Sequence, residues 1–239
     1  MSTTSIKTAM ILAAGLGTRM RAAATDPPKP LVEIGGQTLL ARLLDRLETV
    51  GIEKIVINLH HKAEQIEAHI ADRDNRAEII FSDERDGLLD TGGGVKKALA
   101  ELGEAPFLVS NADILWREAG DNITALMQAF DAETMDVLLL LADTETSTGY
   151  DGAGDYIADA DGHLRRRQND QHGLVFSGLR VVSPAVFNTT PEGAFSFNEI
   201  FDQAEHRRRL FGIKLDGQWM HVGTPEGRAA AQALINASS

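Results

Sequence analysis

The chain has 239 residues, 43% of them hydrophobic and 24% charged, and no cysteine. That length supports a substantial core without covalent staples, and the missing cysteines exclude disulfides, thiolate metal sites, iron–sulfur clusters and a cysteine nucleophile. The 23 Lys and Arg against 35 Asp and Glu leave a net charge of −12, which disfavours non-specific contact with nucleic acid or anionic membranes. The apolar stretch Ala9–Ala14 is six residues long, too short to span a bilayer, and no cleavage-site or lipidation signal accompanies it. The expectation is a cytoplasmic protein, with residues 1–239 forming one domain.

In chain order, Thr8–Ala13 (TAMILA) reads as a strand buried on both faces. A Gly- and Pro-rich stretch follows from Gly15 to Gly36. Leu39, Leu40, Leu43, Leu44 and Leu47 then recur at helical spacing, with Gly51 as the stop. Ile55–Leu59 is the next strand, Ala63–Ala71 a helix, Glu78–Phe81 a third strand, Val95–Leu102 a helix and Phe107–Val109 a strand. This alternation predicts an α/β fold with a parallel sheet flanked by helices. Later segments change character. Val137–Ala142 is another buried run, and two hairpins are expected. Asp155–Ala158 and His163–Arg167 flank Asp161-Gly162, while Leu210–Leu215 and Gln218–Val222 flank Asp216-Gly217. Pro225–Ile235 closes as a helix with Pro in its first turn. The short basic runs Arg165–Arg167 and Arg207–Arg209 read as solvated faces.

The first loop carries the chemistry. Leu12–Met20 reads LAAGLGTRM, directly after the first strand, where open α/β sheets bind ligands. Gly15 and Gly17 allow backbone N–H groups to approach phosphate oxygens, and Arg19 adds a permanently charged fork. The Walker pattern is absent. The dinucleotide fingerprint is broken by Met20, and Pro27, Pro28 and Pro30 forbid the helix that would follow it. Lys29, held between two prolines, is the second cation of a triphosphate clamp. Asp113 follows the run Phe107–Val109, at the carboxyl end of a buried strand, where a carboxylate needs a partner such as a metal ion. Asn111 lies two residues earlier on the same strand face.

LAAGLGTRM followed by PPKPLVEIGGQTLL resembles the signature of the sugar-1-phosphate nucleotidylyltransferases. Further matches are Asp90-Thr91-Gly92-Gly93-Gly94, Val109–Asp113 (VSNAD), Phe176-Ser177-Gly178 and Trp219–Glu226 (WMHVGTPE), in the family's order and spread over almost the whole chain. The resemblance implies a Rossmann-like nucleotidyltransferase fold, a mostly parallel sheet with added antiparallel hairpins. It implies attack by a sugar 1-phosphate on the α-phosphorus of a nucleoside triphosphate, with release of pyrophosphate. Because the second pKa of a phosphate monoester is about 6, the nucleophile is already ionised at neutral pH and no general base is required. The short members acting on UTP and N-acetylmuramate 1-phosphate are the most similar. A mannose-1-phosphate guanylyltransferase or other hexose-1-phosphate enzyme is the alternative, and a binding module without catalysis is a second.

By the same resemblance, Ala13, Ala14, Gly15, Gly17, Thr18, Arg19 and Lys29 bind the nucleotide, with Arg19 and Lys29 on its phosphates, and Asp90, Thr91 and Gly92 line the base pocket. Asn111, Gly154, Ser177 and Gly178 face the sugar. Arg19, Lys29 and Asp113 are the catalytic set, with Asp113 on Mg²⁺. The family's WxDxGT motif departs here, because His221 stands where its second metal-binding Asp belongs. Three roles are open to His221: a ligand to a softer metal such as Mn²⁺, a phosphate donor, or neither, with Mg²⁺ resting on Asp113, phosphates and water. The nucleobase and the choice between monomer and homodimer stay open.

Overall fold

The structure, a computed structural model, describes residues 5–15, 27–169 and 171–237. β1 (Thr8–Leu12) lies inside a nine-stranded sheet, with Ala9, Met10 and Ile11 fully buried. Lys29–Leu31 form one 3-10 turn, and β2 (Glu33–Ile34) with β3 (Gln37–Thr38) form a small hairpin. α1 (Leu39–Thr49) starts on Thr38, whose hydroxyl accepts from the Ala41 N–H at 3.1 Å, and it ends before Gly51 at φ +87°. β4 (Lys54–Leu59), α2 (Ala63–Ala71) and β5 (Glu78–Asp83) follow as the apolar pattern requires. Next come α3 (Asp90–Lys97), α4 (Leu99–Leu102) and β6 (Phe107–Asn111).

The strands β6, β1, β4 and β5 are parallel neighbours in that order. Side chains alternate across them. Ala9 and Ile11 face an apolar cluster with Leu40, Leu43, Leu44 and Leu47 of α1 and Ile66 of α2. Met10 faces the opposite cluster, which holds Val95 of α3 and Leu102 of α4.

After β6 the chain leaves this sheet for β7 (Leu115–Glu118) and α5 (Asn122–Ala129), then returns as β8 (Val137–Asp143). β9 (Tyr156–Ala158) and β10 (Leu164–Arg166) form the antiparallel hairpin expected around Asp161-Gly162. β11 (Leu174–Val182) inserts between β6 and β8, antiparallel to both, with a register shift between Phe176 and Arg180. α6 (Phe197–His206) covers it, and β12 (Leu210–Lys214), β13 (Gly217–Met220) and α7 (Pro225–Asn236) complete the fold. Among the described residues no helix is long and apolar enough to cross a membrane.

Three expectations are corrected. The segments around Asp216-Gly217 do not pair with each other. β12 pairs in parallel with β8, and β13 crosses to pair with β7. Gly217, at φ +131°, serves a close approach, because a Cβ there would collide with the Arg117 carbonyl. The glycine run Gly92–Gly94 lies inside α3 rather than ahead of a helix. Tertiary contact outweighs poor helix propensity there. The basic runs are also engaged. Arg166 pairs with Asp202 and lies over the Tyr156 ring, and Arg209 pairs with Asp136.

Glu48 ties α1 to the approach to β5. Its side chain is 1% exposed and accepts from Arg73 at 2.6 Å and from the Arg76 and Ala77 N–H groups at 2.9 and 3.2 Å. Burial pushes its carboxyl up, but the bonds from Arg73, Ala77 and Arg76 prevail and hold it at about 2. A depressed carboxyl stabilises the fold fully above its unfolded pKa and loses that contribution as pH falls toward its folded pKa. Glu48→Gln is therefore expected to cost about 3 kcal/mol at pH 7. The gap from the parent should close between pH 4.5 and about 2. Denaturant titrations across that range measure it.

Candidate active site

At the carboxyl ends of β1, β4 and β5, buried polar groups set the loop geometry. Asn58, the one polar residue in the run Ile55–Leu59, is 3% exposed. Its Oδ1 accepts from the Ala13 N–H at 2.7 Å and the Ala14 N–H at 3.3 Å, and its Nδ2 donates to Glu84 Oε1 at 2.7 Å. Glu84, 1% exposed, follows β5, and its Oε2 accepts from the Leu89 N–H at 3.0 Å. His60 Nδ1 donates to the Glu84 carbonyl at 2.7 Å. One buried carboxylate thus ties the loop leaving β1 to the start of α3. Gly94 makes room for it, since a Cβ there would lie 2.7 Å from Glu84 Oε1 and 2.8 Å from Asn58 Nδ2.

The first-loop residues divide. Gly17, Thr18 and Arg19 lie outside the described residues. Ala13 and Ala14 direct their N–H groups to Asn58, so those donors are not free for phosphate. Gly15 differs. A Cβ there would meet nothing within 4 Å among the described residues, so packing gives no reason for glycine. Lys29, in its 3-10 turn between Pro28 and Pro30, forms an ion pair with the Asp113 carboxylate. Both side chains stay partly exposed, at 20% and 28%.

Asp90 opens α3 at φ +59°, and its Oδ1 accepts from the Thr91 N–H at 2.5 Å. Thr91 Oγ1 accepts from the Phe197 N–H at 2.9 Å. The N–H groups of Gly92 and Gly93 both donate to the Phe195 carbonyl, at 2.9 and 3.1 Å. These donors are committed to the backbone: α3 docks there on the segment before α6.

On the other side, β7 and β13 form an antiparallel ribbon, with Leu115 opposite Met220 and Trp116 opposite Trp219. Continuing that register brings Asp113 and His221 to the same end of the ribbon. His221 Nδ1 lies 3.2 Å from the Gly149 carbonyl, which can only accept, so Nδ1 carries a proton and Nε2 is the nitrogen left to meet a ligand. The ring is stacked on Trp219 at 5.8 Å and meets the Tyr150 ring edge-on at 6.1 Å. Trp219 Nε1 in turn donates to the Ser177 carbonyl at 3.1 Å.

Of the residues expected to face the sugar, Ser177 is buried. It is 1% exposed and its hydroxyl donates to the Leu140 carbonyl at 2.8 Å, inside the sheet. Gly154, at φ +87°, turns beside Gly173; its carbonyl accepts from Arg167 Nε at 2.8 Å and its N–H donates to the Tyr150 hydroxyl at 3.3 Å. Gly178, at φ +99°, packs against Ile114 and the Asn111 amide. Asn111 ends β6, and its Oδ1 accepts from Arg180 Nη1 at 3.3 Å.

Among the described residues, Asp159, Asp161 and His163 are the one group of three metal-capable side chains. They sit in the β9–β10 turn, where Asp159 accepts from the N–H groups of Asp161 and His163.

A model of the MobA-like NTP transferase domain matches residues 9–187. The chain is 42% identical to an N-acetylmuramate alpha-1-phosphate uridylyltransferase of Caulobacter vibrioides, over 96% of this chain and 97% of the relative. The chain belongs to the sugar-1-phosphate nucleotidylyltransferases. A second uridylyltransferase of that name, from Neisseria meningitidis, is 35% identical over 96% of this chain and 98% of the relative. The crystal structure of HddC from Yersinia pseudotuberculosis complexed with GMP-PN superposes with a TM-score of 0.75 at 26% identity, covering 96% of this chain and 99% of that one. This nucleotidylyltransferase thus has the sheet order and helix placement of its family. Sequence reasoning missed Asn58, Glu84, Tyr150 and Arg180. A polar residue interrupting an apolar strand was the available signal for Asn58 and Arg180.

Glu84→Gln puts an amide N–H₂ where two donors now converge, leaving one of them unpartnered. It is expected to cost about 1–3 kcal/mol. Thermal denaturation checks this, and the same variant should bind nucleoside triphosphate more weakly by calorimetry.

Proposed function

We propose that this nucleotidylyltransferase uses UTP and N-acetylmuramate 1-phosphate, releasing pyrophosphate and forming the uridine diphosphate sugar. The observation that carries this reading is the meeting of Lys29 and Asp113 at the mouth of the sheet, in a chain 42% identical to the Caulobacter enzyme. A phosphate oxygen of the sugar attacks the α-phosphorus of UTP. The new P–O bond forms as the bond to the β-phosphate bridge breaks, and pyrophosphate leaves with the electron pair. The protein's task is to align these groups and balance charge. Gly15 gives the phosphates close approach to the backbone, with Gly17, Thr18 and Arg19 assigned to the same loop. Lys29 holds a phosphate oxygen, Asp90 and Thr91 border the base, and Asn111 and Gly178 border the sugar.

The donor set fits a divalent cation, because Asp113 supplies a hard oxygen and His221 an imidazole nitrogen with its second nitrogen anchored on Gly149. A bound divalent cation supplies neutralisation of phosphate charge. Asp113 and His221 would hold it, and the imidazole favours Mn²⁺ relative to an all-carboxylate site.

The test is pyrophosphate release from UTP, dTTP, GTP and CTP, each crossed with N-acetylmuramate, N-acetylglucosamine, glucose and mannose 1-phosphates, in Mg²⁺ and in Mn²⁺. Release is expected with UTP and N-acetylmuramate 1-phosphate. Release with GTP and mannose 1-phosphate alone would replace this reading, and silence with nucleotide binding intact would leave a binding module. Asp113→Ala should lower kcat by about a thousandfold with a near-parental melting temperature. His221→Ala should raise the Mn²⁺ concentration giving half-maximal rate by about tenfold or more.

A further inference from the structure

Arg180 sits in the middle of the sheet, opposite Val109 of β6 and Leu139 of β8, and is 1% exposed. Among the described residues no carboxylate pairs with it. Its guanidinium lies over the ring of Phe197 at 4.2 Å, with Phe176 at 5.5 Å and Phe201 at 5.8 Å. Its Nε has no hydrogen-bond partner, and its Nη1 donates to Asn111 Oδ1 at 3.3 Å. Burial pushes its pKa down to about 9, as expected for a cation without a counter-ion. An uncompensated buried cation is costly, and replacement by an apolar side chain often stabilises a fold. Its presence here calls for a reason other than stability.

The reason lies in Asn111. An amide side chain can present either its oxygen or its N–H₂ group to a ligand. A guanidinium can only donate, so it holds the Asn111 oxygen and turns Nδ2 away. Nδ2 lies against Gly178, where a Cβ would stand 3.2 Å from it, and among the described residues it donates to none. We propose that Arg180 is a positioning residue of the sugar-phosphate site, which locks the Asn111 amide with its N–H₂ group facing the sugar 1-phosphate. The inference rests on the reaction proposed above. It explains why the aromatic cage encloses a cation: three rings support the charge without supplying an acceptor that would compete with Asn111.

The experiment compares Arg180→Met, Asn111→Ala and the double variant in the full chain. Arg180→Met should keep or raise the melting temperature. The KM for N-acetylmuramate 1-phosphate should rise about tenfold, from one lost charge-assisted bond, while the KM for UTP holds. Asn111→Ala should match it, and the double variant should be no worse than either single one. Multiplying effects, or equal changes in both KM values with a lower melting temperature, would overturn the proposal. Wild-type pyrophosphate release is measured first and alone tests the reaction. The amide lock is read separately from the Asn111 side-chain N–H₂ resonances, identified by their loss in Asn111→Ala. They should shift in Arg180→Met, and unmoved resonances would overturn the lock whatever the turnover.

Discussion

The hydrogen bond between Asn58 and Glu84 is the constraint on which the loop after β1 and the start of α3 depend. The parallel strands β1, β4 and β5 end together, and the segments after β1 and β5 carry backbone donors that the sheet does not satisfy. Asn58 collects two from Ala13 and Ala14, and Glu84 collects Asn58 and Leu89. The loop after β1 and the start of α3 are therefore not independent segments. Gly94 admits the carboxylate, while Gly92 and Gly93 let α3 sit against Phe195 and Gly193. Moving the carboxylate would displace the loop after β1 and the start of α3 at once.

The other side of the candidate site is built differently. β11 runs antiparallel between β6 and β8, and the β7–β13 ribbon rises from the loop that carries Asp113. Pairing in that ribbon, rather than proximity in sequence, brings residues 113 and 221 to one end. Trp219 fastens the ribbon to β11 through the Ser177 carbonyl, so Asn111, Gly178 and His221 belong to one connected unit. The two halves meet along β1 and β6, the strands that deliver the loop glycine and the aspartate.

Much of this was legible because strands inside a sheet must be continuous apolar runs, and four such buried runs mark β1, β4, β6 and β8, while β5, at the edge, showed only the short run Glu78–Phe81. The Asp216-Gly217 pair misled because a turn signal reports local backbone freedom and not which strand is next door. β12 found its partner in β8, where its apolar residues complete the core. The triple glycine misled for a related reason, since a missing side chain admits a ligand or a neighbouring helix equally well. Lys29 and Asp113 drew attention in the sequence through their proline frame and strand end, yet their pairing was not legible, because 84 positions separate them. Asn58 and Glu84 acquire meaning only once β4 and β5 lie side by side.

Charge explains the remaining choices. A chain of net charge −12 that handles phosphates must store positive charge where it does no harm to folding. Two solutions are visible. Lys29 is kept on Asp113 in a partly exposed pair, and such pairs are worth only about 0–1 kcal/mol, so a triphosphate can claim the lysine at little cost. The same exchange, under the proposed reaction, would release the Asp113 carboxylate for a cation as the phosphates arrive. Under the proposed reaction Arg180 is the opposite case: a carboxylate released beneath the sugar would repel its phosphate, and aromatic faces and one amide take the place of a counter-ion. On that reading an exchangeable cation serves the nucleotide, and a fixed one serves the sugar.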